Sequence, residues 1–304
     1  MSNDFRAVGR RLSNWGRWGP DDEIGTLNHV TPERVAAAAA LARTGRVFDL
    51  GYTLAANGPQ IGLGGRINPV HLMSMTGQSS FPDGGGFADD FIFMPLQCAT
   101  QWDGLAHVFY DEQCYNGVPA SSITARGAQR LSIERLARAV IGRGVLLDVA
   151  RLHDVPCLPT DHGIGPDDLD AAVERQGVDV GAGDIVLVRT GWTTKFTAGS
   201  AREFMGDEPG LTLDACEWLH AHDVAAVAFD NWAVERFPSE DPDARMPVHY
   251  VLIRDIGMTL GEMFDLEALA DDCAADGVYE FLLCAPVLKV AGGVGTPLNP
   301  LAVK

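Results

Sequence analysis

The chain is short of basic residues for its length. Its 304 residues include 23 Lys and Arg against 41 Asp and Glu, which gives a formal net charge of −18. Nucleic-acid binding needs a basic face that replaces the counterions around phosphate. An anionic membrane surface likewise attracts positively charged segments. We therefore expect neither nucleic acid nor a membrane among the partners of this protein.

Long apolar runs, a hydrophobic leader and paired cysteines are also missing. No run approaches the roughly 18 apolar residues of a membrane span, and the opening segment MSNDFRAVGRRLSNWGRWG is polar. The cysteines, at positions 98, 114, 157, 216, 273 and 284, form no CxxC pair. These absences predict a cytoplasmic protein whose cysteines are reduced core residues.

The chain contains no Ser- or Pro-rich linker, no low-complexity tract and no internal repeat. Its hydrophobic content of 46% is enough to bury a large core. We predict a single domain over residues 1–304, in which residues 1–30 form an irregular N-terminal arm.

Helical patterns alternate with continuous apolar runs through the middle and the end of the chain. Such runs are typical of strands that are buried on both faces, so they predict an α/β arrangement. The predicted helix and strand pairs are 131–140 with 144–150, 166–177 with 184–190, 211–223 with 224–230, and 265–277 with 278–286. The first third instead predicts strands at 47–54, 70–76 and 91–96, separated by glycine-rich loops at 61–66 and 82–86 that could serve as lids.

The segment QCATQWDGLAH (97–107) concentrates side chains that can bind an ion. It directly follows the apolar run FIFMPL (91–96), which predicts a buried strand, so its polar residues would lie at the mouth of that strand. The candidate donors are Gln97, Gln101, Asp103 and His107. An alternative is that Asp103 caps a short helix beginning near Gly104.

A second pair of donors, His249 and Glu262, lies far downstream in MPVHYVLIRDIGMTLGE (246–262). Its first part is helix-like, and residues 258–260 predict a short strand that would deliver Glu262. Aspartate, glutamate and histidine are common ligands of zinc and manganese. The two segments together therefore favour a metal site over a structural role for each residue.

The segment 97–107 resembles the HxGTHxDxPxH signature of the cyclase superfamily of metal-dependent hydrolases, which includes bacterial kynurenine formamidases and isatin hydrolases. The resemblance extends over most of the chain, through the segments 14–28, 144–150, 183–192 and 285–300. It implies a mixed, barrel-like β core flanked by helices, of the swivelling β/β/α type. It also implies a homodimer or a homotetramer.

By position, the resemblance implies that Asp103, His249 and Glu262 bind the metal and that His107 is the acid/base residue. Gln97 and Gln101 stand where the signature has its two leading histidines. A carboxamide oxygen is a weaker donor than imidazole, so we expect one divalent ion per subunit, zinc or manganese. Gln101 would be its fourth ligand or a hydrogen-bond donor to substrate, and a site that has lost its metal is the alternative.

These residues predict a metal-dependent hydrolase that opens an amide, lactam, ester or lactone bond of a small cyclic or aromatic substrate. A divalent ion with open positions acidifies water and polarises a carbonyl, while His107 would pass a proton to the leaving group. Two alternatives remain open. One is a lyase or cyclase that stabilises an enolate at the same site, and the other is a non-catalytic protein that binds a small ligand.

Five residues are candidates for substrate binding: Gln97, Trp102, Asp230, Asn231 and His71. The carboxamide of Gln97 would steady an oxyanion, and Trp102 would either stack on a flat substrate or belong to the core. Asp230 and Asn231 end a predicted strand, where they would orient a ligand or form an Asx turn. His71 lies on another predicted strand.

Overall fold

The computed structural model describes residues 4–78 and 80–304. Within these residues, nine strands form one mixed sheet that curls into a half-barrel. In chain order they are β1 (Val47–Asp49), β2 (Gln101–Asp103), β3 (Ile141–Asp148), β4 (Ile185–Arg189), β5 (Ala226–Phe229), β6 (Thr259–Glu262), β7 (Glu280–Cys284), β8 (Gly295–Pro297) and β9 (Leu301–Val303). Their order across the sheet is β1-β9-β7-β3-β4-β5-β6-β2-β8. The predicted mixed, barrel-like core is confirmed.

The centre of the sheet is parallel and its two flanks are antiparallel. Strands β3, β4, β5 and β6 run parallel to one another. The pairings on either side of them, through β2 and β8 on one flank and through β7, β9 and β1 on the other, are antiparallel. Alternate side chains of β3 enter two different cores, with Val145 and Leu147 on one face and Leu146 on the other. Both faces are therefore covered, which explains why the parallel strands are continuous apolar runs.

Helices cover the two faces of the sheet. Among the described residues the α-helices are α1 (Phe5–Leu12), α2 (Pro32–Ala39), α3 (Val149–Leu152), α4 (Pro166–Gln176), α5 (Ala201–Phe204), α6 (Ala215–Ala221), α7 (Pro247–His249) and α8 (Glu267–Asp276). Helix α7 continues as a π-helix over Tyr250–Ile256. In the part of the chain that the structure describes, no helix combines the length and the apolar character needed to cross a bilayer.

The N-terminal arm is more regular than the sequence predicts. Helix α1 lies within it and buries Phe5, Val8 and Leu12 in the larger of the two cores. A 3-10 helix, Gly25–His29, follows. The first three residues of the predicted arm lie outside the described residues.

The predicted helix over residues 131–140 is wrong. Only the 3-10 turn Ile133–Leu136 forms there, and Leu131 has a φ of +59°, outside the right-handed helical region. The backbone amides of Leu131 and Ile133 bond to Glu23 and to the carbonyl of Gly293 instead of to the preceding turn. These long-range hydrogen bonds override the local helical pattern.

The predicted buried strand over residues 91–96 is also wrong. A strand over Asp89–Phe93 pairs with Val70–Met75 in a separate hairpin, and every residue of Asp89–Phe93 is exposed. The apolar run therefore has no layer packed over it within the described residues. The polar residues after it do not lie at a strand mouth, because Gln101–Asp103 is itself the buried strand β2.

The cysteines behave largely as predicted. None of the six forms a disulfide among the described residues, and four of them, at positions 98, 114, 216 and 273, are buried. Burial raises the pKa of the Cys98 thiol to about 11. This thiol therefore stays protonated at neutral pH, which is consistent with packing rather than nucleophilic chemistry.

Candidate metal centre

The pairing of β2 with β6 places three polar side chains on one face of the sheet. Gln101 lies opposite Glu262, and Asp103 lies opposite Leu260. Because side chains alternate along a strand and paired residues share a face, Gln101, Asp103 and Glu262 project together. Trp102 projects to the opposite face for the same reason.

A glycine allows these two strands to approach closely. A Cβ atom at Gly261 would lie 2.5 Å from the Cβ of Ala228 and 2.6 Å from Cζ3 of Trp102. Any larger residue would push Trp102 or β5 away from β6. Gly261 therefore helps to hold Glu262 in register with Gln101.

His249 reaches the same place from α7. The Glu235 carboxylate accepts hydrogen bonds from the backbone N–H groups of Val248 and His249, at 3.3 and 3.0 Å. The same carboxylate lies 2.5 Å from Nδ1 of His249, while Nε2 of the ring lies 3.3 Å from Oε1 of Glu262. Glu235 thus fixes both the start of α7 and the direction of the imidazole.

These contacts bring three potential ligands together. One ligand atom each from Asp103, His249 and Glu262 lies within 4.8 Å of the others, and all three residues are buried. Two carboxylates with one imidazole are a suitable set for a divalent ion such as zinc or manganese. The fold therefore brings together side chains from two segments that are far apart in the sequence.

Gln101 provides an independent indication that a cation fits. Its Nε2 donates to Oε2 of Glu262 at 2.6 Å and to Oδ1 of Asp103 at 3.3 Å. Its Oε1 is buried and has no hydrogen-bond partner among the described residues. An unsatisfied buried acceptor costs about 1–3 kcal/mol, which a cation or a ligand donor would relieve. The donor set and this free oxygen fit a divalent ion.

The buried surroundings of the candidate ligands shift the pKa values of Asp103 and His249. Burial, and then the neighbouring Glu262, raise the pKa of Asp103 to about 6, although the charge of His107 opposes the shift. Burial would lower the pKa of His249, but its hydrogen bonds to Glu235 and Glu262 raise it to about 10. The His249 imidazolium then stands between two carboxylates, where a bound cation would replace its proton.

His107 lies at the edge of this cluster. Its Nε2 is 3.7 Å from Oδ1 of Asp103, and its side chain is 18% exposed, whereas those of Asp103, His249 and Glu262 are at most 4% exposed. Burial lowers the pKa of His107 despite the nearby Asp103 carboxylate. The residue is therefore a neutral imidazole in contact with solvent.

The helix-cap alternative for Asp103 is excluded. Among the described residues no helix follows β2 there: the chain instead forms a turn in which the His107 N–H donates to the Gly104 carbonyl.

Gln97 also faces this side of the sheet. Its Nε2 would lie 2.4 Å from a Cβ placed on Gly295, and Gly295 pairs with Asp103 in β8. Since paired residues share a face, the carboxamide of Gln97 lies on the same face as Asp103. Its Nε2 is buried and lacks a hydrogen-bond partner among the described residues.

Trp102 does not reach this face, so of its two alternative roles the structure supports a place in the core rather than stacking on substrate. The indole is fully buried, packs edge-on against Phe264 with ring centroids 5.1 Å apart, and donates to the Ala285 carbonyl at 2.9 Å. A residue between two outward-facing neighbours of a strand must point into the opposite core.

We expect Trp102→Ala to destabilise the protein by about 3–5 kcal/mol, because it removes a large core side chain and leaves a cavity. The free energy of unfolding in denaturant measures the effect. Leu288→Ala is the matched control, since Leu288 is 53% exposed and its truncation should cost less than about 0.5 kcal/mol. Equal effects of the two changes would contradict the assignment of Trp102 to the core.

For Asp230 and Asn231 the structure favours the structural alternative over ligand binding. The Asp230 carboxylate accepts from the backbone and hydroxyl of Thr190, at 2.9 and 2.6 Å, and from the Gly191 amide at 2.7 Å. Asn231 donates to the Pro209 carbonyl and accepts from the Val234 amide. Both side chains are fully buried and hold loops in place, so they are not available to a ligand.

His71 lies on the exposed hairpin, and its role in substrate binding stays a prediction. Its Nε2 is 2.7 Å from the Asp90 carboxylate on the paired strand, and its side chain is 54% exposed. This pair stabilises the hairpin locally across its two strands.

Glu235 is the residue that sequence reasoning missed. It belongs to the same stretch as Asp230 and Asn231, and its side chain is 2% exposed. The signal available in the sequence was a carboxylate in a polar stretch that follows a strand. Its partner, His249, lies 14 positions further along the chain, so the sequence did not indicate the contact. Its importance therefore emerges only from the fold.

We expect Glu235→Gln to weaken binding of a divalent ion by about 10–100-fold, because the charged partner that orients His249 is lost. Titration with zinc followed by calorimetry measures the change. Glu240→Gln is a suitable control, since Glu240 is an exposed carboxylate that pairs only with Arg236 among the described residues. Native-like affinity in Glu235→Gln would rule out the orienting role.

Known proteins resemble this chain in sequence and in fold. A family model described as "Putative cyclase" matches residues 48–236. An isatin hydrolase of Roseibium aggregatum is 30% identical over 142 residues, which are 45% of this chain and 51% of the relative, so the match spans about half of that protein. The crystal structure of a cyclase superposes with a TM-score of 0.90 at 41% identity, covering 97% of this chain and 99% of the other.

A more distant structure shares the fold. It is described as a predicted metal-dependent hydrolase from Bacillus stearothermophilus, with a TM-score of 0.54 and 17% identity over 84% of this chain and 97% of the other. The family match covers more than half of the present chain and includes the whole of β2. This chain therefore belongs to the cyclase family and is related to isatin hydrolase.

Proposed function

We propose that this protein is a metal-dependent hydrolase that opens an amide, lactam, ester or lactone bond of a small cyclic or aromatic substrate. The observation that carries the proposal is the convergence of Asp103, His249 and Glu262 beside a neutral His107. The relationship to isatin hydrolase supports hydrolysis as the reaction class. It also makes isatin the first substrate to test.

The centre would hold one divalent ion per subunit, zinc or manganese, through Asp103, His249 and Glu262. The free oxygen of Gln101 offers a fourth, uncharged donor that suits a harder cation as well as zinc. When bound, such an ion acidifies water and polarises the carbonyl of a substrate.

The residues around the centre provide the remaining chemistry. His107 is neutral and partly open to solvent, so it accepts a proton as water is activated and returns it to the leaving group. The N–H of Gln97, which has no partner among the described residues, would donate to the developing oxyanion. Glu235 keeps the His249 ring turned toward Glu262.

Hydrolysis in isotopically labelled water tests this function. The protein is purified without chelator, its metal content is determined by elemental analysis, and turnover is measured on isatin and on a panel of cyclic amides and lactones. We expect labelled oxygen in the new carboxylate and, at the centre of Asp103, His249 and Glu262, one bound ion that Asp103→Asn removes. Chelation should abolish turnover, and zinc or manganese should restore it.

Two results would overturn the proposal in different ways. Turnover without incorporation of label would indicate a lyase or cyclase that uses the same residues for enolate chemistry. Absence of bound metal, together with no stimulation by zinc or manganese, would indicate a protein that only binds a small ligand.

We also propose that two copies of the chain associate through the exposed hairpin, in a homodimer or a homotetramer. Its apolar side chains are widely exposed, including Leu72 at 51%, Phe91 at 53% and Phe93 at 68%. A two-stranded hairpin is marginally stable alone in water, so its apolar faces need a covering partner.

The free cysteines support a cytoplasmic location for this assembly.

Replacing both Phe91 and Phe93 with serine should shift the protein to monomers, because it removes the two largest exposed apolar side chains of the paired strands. Light scattering after size-exclusion chromatography measures the mass. Leu288→Ser, at an exposed position outside the hairpin, should leave the mass unchanged. An unchanged oligomer in the double variant would reject the hairpin as the interface.

A further inference from the structure

A second group of metal-binding side chains lies on the connection between α3 and α4. His153 directly follows α3, His162 precedes the short strand Gly163–Ile164, and Asp168 belongs to the first turn of α4. Nε2 of His153 is 2.7 Å from one carboxylate oxygen of Asp168, and Nε2 of His162 is 3.0 Å from the other. These residues are not part of the proposed catalytic centre.

We propose that His153, His162 and Asp168 form a second metal site that binds zinc or a similar transition-metal ion. One ligand atom from each residue lies within 4.8 Å of the others. Both imidazoles present the same type of atom, Nε2, and their ring centroids are 4.7 Å apart at an angle of 66°. Two imidazoles and one carboxylate are an ordinary zinc ligand set.

The spacing of the donors matches a tetrahedral ion. Zinc–ligand bonds of about 2.0–2.1 Å place neighbouring ligand atoms about 3.3 Å apart. The two nitrogen–oxygen distances here are 2.7 and 3.0 Å, so small side-chain rotations would admit an ion between them. The His153 side chain is 40% exposed, which leaves room for water as a fourth ligand.

A hydrogen-bonded triad without metal is the competing explanation. In that case each neutral imidazole donates its Nε2 proton to Asp168. In the metal site both Nε2 atoms carry no proton and the ring protons reside on Nδ1. The two explanations therefore differ in the protonation of the rings and in their reactivity, which makes them separable.

The position of the site indicates a structural clamp. Residues 154–161 form a loop whose two ends are His153 and His162, and the Pro156 carbonyl within it accepts from Arg189 of β4 at 3.2 Å. An ion would tie both ends of this loop to α4. Because it would bind the folded chain alone, zinc should raise the melting temperature through this site.

The test counts zinc ions bound per chain by equilibrium dialysis and elemental analysis. We expect His162→Asn and Asp168→Asn each to bind one ion fewer than the native protein and to lose part of the zinc-dependent rise in melting temperature. His222→Asn should bind as many ions as the native protein, since His222 packs on Trp218 and joins no ligand cluster among the described residues. Unchanged stoichiometry in both cluster variants would overturn the proposal.

A second measurement uses the unmodified protein, so it does not depend on the folding of variants. Zinc should protect His153 and His162 from ethoxyformylation by diethyl pyrocarbonate, as mapped by mass spectrometry, while His222 should react to the same extent with and without zinc. Equal modification of His153 and His162 in the presence and absence of zinc would favour the hydrogen-bonded triad and reject the site. A failure of the catalytic centre to bind metal would not change either result.

Discussion

Asp103→Asn is expected to remove the ion from the catalytic centre and to lower kcat/KM by more than about 10³-fold, since losing even a partner of a metal ligand costs 10–100-fold. The substitution keeps the size of the side chain but removes one of the two proposed carboxylate ligands. His249 and Glu262 would remain, and one negative charge is too little to hold a divalent ion against the competing proton on His249. Elemental analysis and turnover on isatin measure the two effects.

The control for this change is Asp265→Asn. Asp265 is also a carboxyl whose pKa is raised by burial, but it accepts a hydrogen bond from the Glu267 amide at the start of α8. This variant should lose some stability and keep its ion and its turnover. If Asp103→Asn retained a full complement of metal, Asp103 would not be a ligand.

His107→Ala should lower kcat by about 10²–10⁴-fold, the range typical of a lost general acid/base, while the ion stays bound. The separation of the two effects follows from the geometry, because His107 lies outside the three-residue ligand cluster. Its Nε2 lies 3.7 Å from Oδ1 of Asp103. Single-turnover kinetics together with metal analysis of the same sample would measure both quantities.

Glu235→Gln is the comparison variant that separates loss of metal from loss of the acid/base residue. That variant should lose affinity for the ion and regain much of its turnover when zinc is added in excess, whereas His107→Ala should not respond to added zinc. Normal turnover in His107→Ala would remove the residue from the mechanism. Loss of metal in that variant would instead make it a ligand.

The parallel half of the fold was predictable from sequence. The strands over 144–150, 184–190 and 224–230 are continuous apolar runs because both of their faces are covered, and they correspond to β3, β4 and β5. The run at 91–96 has similar composition, yet it lies on an exposed hairpin. The composition of a segment shows that it is apolar enough to be buried. Whether it is buried depends on whether distant parts of the chain pack against it.

The candidate centre was predictable in its donors but not in its surroundings. The types and positions of Asp103, His249 and Glu262 suggested a metal site, and the fold brings their ligand atoms together. The two alternatives for Trp102 could not be separated from sequence, because they depend on β2 being a strand, which fixes the face of each residue. Glu235 was missed because its function is set by a contact with α7 that no local pattern encodes.

The double role of Glu235 has a consequence for how an ion enters the centre. One carboxylate anchors the first turn of α7 and the ring of His249 together, so the imidazole cannot drift unless the helix moves with it. The ligand is thus preorganised during folding, and the conformational entropy of arranging it is lost before any cation arrives. Association with an ion then requires little more than the departure of a proton.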